Sequence, residues 1–172
     1  GYDYEVFYME KNVVKNILAD TDLRQNLIKL KGSMTSTDTL EGPIVEKLCD
    51  CLTHEDPKVR KNAALLLGYT KNPLMASVLL DAYKNEEKDF VKDAYLKGMS
   101  HYDCKPYIKE LQEIQNELMN SEVVDSKHIK AQLKVLNPMI RSYSYHKKKS
   151  IRLLHKEVDV ILTTLPYYQY TL

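Results

Sequence analysis

Cys49, Cys51 and His54 are the residue types of a zinc site, and their closeness in the chain makes them the first candidates for chemistry. On a helix, however, positions 49 and 51 point about 200° apart, so the two thiols cannot share a tetrahedral ion without unwinding the backbone. Both read as small residues in or near an interhelical core, and no metal is expected. Cys104 precedes Lys105 and Pro106 at a helix start, a place where a thiolate is stabilised, but with no His or acid at suitable spacing it reads as an inert thiol. His54-Glu55-Asp56 has the composition of an acid–base group, yet it occupies a turn between two helical runs, where acids cap the following helix. Asp20 and Asp125 are expected to play the same capping role. No Ser–His–Asp or Cys–His arrangement follows from these spacings, and five glycines in 172 residues form no phosphate-cradling loop. The chain reads as non-catalytic, with no cofactor of its own.

The cations are more informative. Tyr143-Ser-Tyr145-His-Lys-Lys-Lys149, followed by Arg152 and Lys156, interleaves aromatic rings with positive charge, the combination that suits phosphate contact plus base stacking. Tyr143, Tyr145, Lys147, Lys148, Lys149 and Arg152 are therefore the candidate nucleic-acid contacts, with Arg60 and Lys61 extending the surface. The plain alternative is a solubilising loop. Residues 137–172 carry six basic and two acidic residues, a net of +4, and since the whole chain is +1 the remainder is −3. That near-neutral remainder favours a rival reading, a scaffold that grips a protein partner. Asn85-Glu-Glu-Lys-Asp89 reads as a solvated turn.

These side chains need elements to hold them, and the apolar spacing supplies helices. Gly32, Gly68 and Gly98 each close an apolar run of helical period, where a left-handed C-terminal cap is expected. Aligned on those glycines, residues 20–32 match residues 56–68, with identities at Asp20/Asp56, Arg24/Arg60, Asn26/Asn62, Leu30/Leu66 and Gly32/Gly68. A weaker copy keeps Lys88, Ala94, Leu96 and Gly98 at a spacing of 30, which sets Phe90 where the Arg should be. A fourth runs from Asp125 to Asn137, with Asn137 as its cap and Pro138 forbidding continuation. Each run follows another amphipathic segment, such as Pro43 to Leu52 with Ile44, Leu48 and Leu52 on one face. Pro43, Pro73 and Pro106 mark starts, where a missing N–H costs nothing. About four helix pairs, thirty to thirty-six residues apart, make an all-α α-solenoid.

Asp56-Pro-Lys-Val-Arg-Lys-Asn-Ala-Ala-Leu-Leu-Leu-Gly68 resembles the second helix of a HEAT-type repeat, especially the short variety common in bacteria. The resemblance extends over roughly Lys11 to Leu136. It implies that Arg24 and Arg60 form an inter-repeat polar ladder with the turn Asp, in place of binding phosphate.

Composition sets the outer limits. No apolar run approaches the roughly 18 to 20 residues of a membrane span, and three cysteines, which cannot all pair within the chain, favour a reducing, cytoplasmic home. Residues 1–136 are expected to form the repeat array and 137–172 a basic linker or the start of a following domain. Ile151 to Leu154 and Val158 to Leu165 read as a short strand-like tail. The chain ends at Tyr170-Thr-Leu172 without a polar cap or a charge, and is expected to continue beyond it. Val158-Asp-Val-Ile-Leu-Thr-Thr-Leu-Pro-Tyr-Tyr168 resembles the strand-and-loop motif of amino-directed S-adenosylmethionine methyltransferases, with Thr164 at the position of their Asn. It is also similar to the entry strand of the RNA-binding region in THUMP-type RNA methylases. Both resemblances imply nucleic-acid methylation, with S-adenosylmethionine as the cofactor of a further part of the protein; the second implies RNA as partner, and this chain is expected to contribute a helical-repeat binding module.

Overall fold

The computed structural model describes residues 11–122 and 126–164, without the side chains of 144–150, 157 and 159–164. Helical residues 11–18 form α1, followed by α2 (Leu23–Ser33), α3 (Pro43–Cys51), α4 (Pro57–Leu66), α5 (Leu74–Asn85), α6 (Asp89–Met99), α7 (Ile108–Met119) and α8 (Lys127–Thr164). A 3-10 turn, Leu67–Tyr69, extends α4, and another, Lys105–Tyr107, leads into α7. Prolines stand at the first turns of α3 and α4, and the Asp56 carboxylate caps α4 by accepting from the Lys58 amide at 2.9 Å.

The even-numbered helices α2, α4, α6 and α8 pack side by side in chain order, and α4, α6 and α8 each also rest on the helix before them. Two layers result, with one core between them. Ile17, Leu27, Leu48, Leu66, Leu79, Leu96, Leu111 and Leu136 are all fully buried, so every helix sends at least one large side chain inward. Each such burial stabilises by roughly 1.5–3 kcal/mol, and no single pair encloses its own apolar face. This is the all-α solenoid expected from the repeat.

Several local expectations are corrected. Gly32 and Gly98 lie inside helices and Gly68 in the 3-10 turn; the one glycine with positive φ among the described residues is Gly42, at 80°. Close approach explains two of the three. A Cβ on Gly98 would stand 2.6 Å from the Ala64 carbonyl oxygen and 2.9 Å from Leu79 Cδ1, and one on Gly68 would meet the His101 ring at 2.6 Å. The third repeat is also out of step with its glycines. Burial matches Val59, Asn62, Ala63 and Ala64 to Val91, Ala94, Tyr95 and Leu96, a spacing of 32, which sets Lys92 rather than Phe90 in the place of Arg60. Asp20 does not cap: it has positive φ and pairs with Lys47. Asp125 lies outside the described residues.

As far as Thr164 the strand-like tail is helix, and residues 165–172 lie outside the described ones. α8 runs 38 residues, passing through Asn137 and Pro138. A proline inside a helix costs about 3 kcal/mol, but here both sides of it are anchored. Leu136 and Ile140 are buried, Gln132 accepts from the buried Tyr83 hydroxyl, and Asn137 accepts from Gln115 at 2.9 Å instead of capping. Farther on, Ile151, Leu154, Val158 and Ile161 fall three or four residues apart, a helical period that the β-branched residue types disguise.

Candidate nucleic-acid interface

Charge on this surface is organised by a ladder. Arg24 donates twice to Asp56, at 2.9 and 3.0 Å, joining the first repeat to the turn of the second. Arg60 does the same one step on, donating from Nε and Nη2 to Glu86 at 2.8 and 2.9 Å, while Nη1 donates to the His54 carbonyl at 2.8 Å. The Tyr95 hydroxyl and the Lys88 amide complete the shell of Glu86, at 2.7 and 3.0 Å. The Glu86 side chain is only 2% exposed. Burial alone would raise its pKa, but the bonds from Arg60, Tyr95 and the Lys88 amide outweigh it and hold the carboxyl down at about 2. So Asn85–Asp89 is not simply a solvated turn: Glu86 is a buried anchor, and sequence reasoning missed it because its neighbours are exposed acids and lysines. Its distance from Arg60, 26 residues against 32 for Arg24 and Asp56, gave no signal either.

With the ladder arginines included, the two layers differ in charge. α2 carries Arg24, Lys29 and Lys31 and no acid; α4 carries Lys58, Arg60 and Lys61 and no acid. α6 is balanced, with Lys92 and Lys97 against Asp89 and Asp93. α8 has nine basic residues against Glu157 and Asp159. In the other layer α1 carries Lys11 and Lys15, α3 and α7 are net acidic and α5 is neutral, a sum of one net negative charge. A near-neutral total conceals a cationic layer of second helices.

The candidate contacts divide over this surface. By register, positions 141, 145, 148, 152 and 156 of α8 share one helical face, with 149 beside it. Arg141, Arg152 and Lys156 are exposed there; the side chains of Tyr145, Lys147, Lys148 and Lys149 lie outside the described ones. Positions 143 and 147 fall on the opposite side. Tyr143 is half-buried against the core and lines a groove of about 670 Å³. Arg60 is committed to Glu86, and Lys61 is half-buried on α4. Exposed Lys29, Lys58 and Lys134 were not singled out by sequence, since nothing in their spacing marks a lone lysine.

The thiols and the turn histidine have structural surroundings. Burial pushes the Cys51 and Cys104 thiols up to about 11 and raises Cys49 as well. Cys104 donates to the Met99 carbonyl, and His54 Nδ1 accepts from the Asp56 amide at 3.0 Å. Among the described residues no group of three or more His, Cys, Asp or Glu is placed to hold a metal ion, and no helix is long and apolar enough to cross a membrane.

A family profile described as HEAT repeats matches residues 12–100, more than half of the 172-residue chain. No curated protein and no solved structure matches it.

Proposed function

The chain belongs to the HEAT-repeat family, and from that premise we propose that it is a non-catalytic binding module that holds RNA on its second-helix layer and on the outer face of α8. The observation that carries this reading is the charge segregation: Lys29, Lys31, Lys58 and Lys61 beside the two ladder arginines and no acid on α2 and α4, and nine cations against two acids on α8. Phosphate contacts release condensed counterions, so such a layer binds nucleic acid with an affinity that falls steeply as salt rises. Aromatic Tyr145 among the α8 cations adds a stacking surface.

The test is fluorescence anisotropy of the chain with labelled tRNA and a single-stranded control across a salt series. Micromolar binding that weakens with salt, and that drops when Lys148, Lys149 and Arg152 are changed together to Ala, supports the reading. No binding at 50 mM salt removes it.

A protein partner is the second reading, favoured by Ile151, Leu153, Leu154 and Val158, which are exposed on α8 at 46–60%. The association with S-adenosylmethionine-dependent RNA methylation rests on the likeness of Val158 to Tyr168 alone. The helix through Thr164 weighs against it, because the motif it resembles follows a strand. Three unpaired thiols suit a cytoplasmic setting.

A further inference from the structure

Two neighbouring grooves lie where α4 and α6 end, and they share one wall. The smaller, about 300 Å³, is lined by Tyr69, Lys71, His101 and Tyr102. The larger, about 670 Å³, is lined by Tyr102, Lys97, Lys105 and Tyr143 over an apolar floor that includes Ile108 and Met139. Tyr69 and His101 already face each other at 5.3 Å between ring centroids, tilted by 36°. That pair depends on Gly68, since a Cβ there would occupy the space of the His101 ring. Tyr102 is held in place by its hydroxyl, which bonds to Thr70 and to the Leu67 carbonyl, so its ring is a fixed partition between the grooves.

Lys71, Lys97, Lys105 and His101 are exposed along this edge. Lys97 lies 3.3 Å from Asp93 but keeps 53% of its side chain in solvent. The two carboxylates lining the grooves are engaged in turns: Asp38 accepts from the Thr35 amide and hydroxyl, and Asp103 from the Lys105 amide. Aromatic faces set at intervals along a row of cations are what an unpaired strand needs, because each base offers a π-face and each nucleotide a phosphate. A duplex hides its bases and cannot use the rings.

We infer that this edge, from Tyr69 to Tyr143, is a track for single-stranded nucleic acid. Tyr69 with His101, Tyr102 and Tyr143 take successive bases, and Lys71, Lys97 and Lys105 take phosphates. The inference rests on the RNA reading above and adds to it the strandedness of the ligand and a site away from the outer face of α8.

The experiment measures binding of the whole chain to a labelled single-stranded RNA and to a hairpin of the same length and charge, over a salt series. Single-strand preference is expected, with His101→Ala and Tyr143→Ala each weakening single-strand binding about five- to a hundredfold at an unchanged salt slope. Tyr143→Phe retains binding, and Gly68→Ala, which displaces the His101 ring, reproduces His101→Ala. Lys71→Ala and Lys105→Ala each reduce the slope by about 0.7, the single-strand value for one phosphate. Circular dichroism confirms that each variant is folded. Equal affinity for strand and hairpin, untouched by His101→Ala and Tyr143→Ala, overturns the track while leaving the RNA reading standing. Absence of any RNA binding at low salt overturns both.

Discussion

Glu86 concentrates more of this protein's electrostatics than any exposed acid. Its carboxyl has a pKa near 2 in the fold against 4.5 as its ordinary value, so it binds a proton more readily in the unfolded chain. The stability it contributes is present above about pH 4.5 and is lost as pH falls through that value toward 2. The shift corresponds to something on the order of 3 kcal/mol. Thermal melts between pH 6 and pH 2.5 are expected to show a steep acid limb, and Glu86→Gln is expected to flatten it. Removing one partner of the buried pair is more severe. Arg60→Ala leaves Glu86 uncompensated and is expected to cost about 3 kcal/mol in urea unfolding. Arg24→Ala, which breaks a bridge whose Arg is 52% exposed, is expected to change the midpoint little. The glycines make a second contrast. Gly32 sits inside α2 with open space around its Cβ position, so Gly32→Ala is expected to stabilise by about 0.5–1 kcal/mol. Gly98 touches a backbone carbonyl across the α4–α6 contact, and Gly98→Ala is expected to destabilise by about 1–3 kcal/mol. Equal effects at the two glycines would refute the close-approach account.

At the scale of elements, α8 differs from the others in having two environments. Its first half is the last second helix of the array, with Gln132, Leu136 and Ile140 buried. Beyond residue 150, Ile151, Leu153, Leu154 and Val158 are exposed while their spacing keeps a helical period. Pro138 falls within the packed half but is itself exposed, and its ring excludes the bond its position would donate to the Lys134 carbonyl. Pro138→Ala is therefore expected to raise the melting temperature and the helical circular dichroism signal, since neither neighbour would lose a contact. A fall in melting temperature would mean that the packing of Leu136 and Ile140 requires the bend a proline imposes.

The whole molecule behaves as a short row of units, each bound to its neighbours by apolar side chains and by the Arg24–Asp56 and Arg60–Glu86 rungs. A row of this kind repeats its surface as well as its core, so lysines scattered through the sequence gather on one layer. Changing Lys29, Lys58 and Lys134 together to Ala is expected to lower the slope of log affinity against log salt by about 2 for single-stranded RNA. The melting temperature should fall only slightly, because all three side chains are exposed and the loss is the contact of Lys58 over the Phe90 ring at 5.4 Å. An unchanged slope would show that the array's lysines do not meet phosphate and that any binding belongs to α8 alone.

The amino-acid sequence by itself determined the helical repeat, because a period near 3.6 and a recurring Asp–Arg–Asn frame are properties of residue order. The rung between Arg24 and Asp56 was legible only through the resemblance to HEAT-type repeats, since recurrence in matching places does not say which side chains meet. The third repeat was less legible: its glycine kept a spacing of 30 while its buried face kept 32, and only packing against α4 reveals which one the structure obeys. The continuation of α8 through Asn137 and Pro138 was likewise decided by tertiary structure, where Tyr83, Gln115 and the apolar neighbours outweigh the local signals to stop. The same holds for the buried role of Glu86 and for the edge that joins Tyr69 to Tyr143. Those residues stand far apart in the chain, and nothing local records that stacking the repeats brings them onto one side.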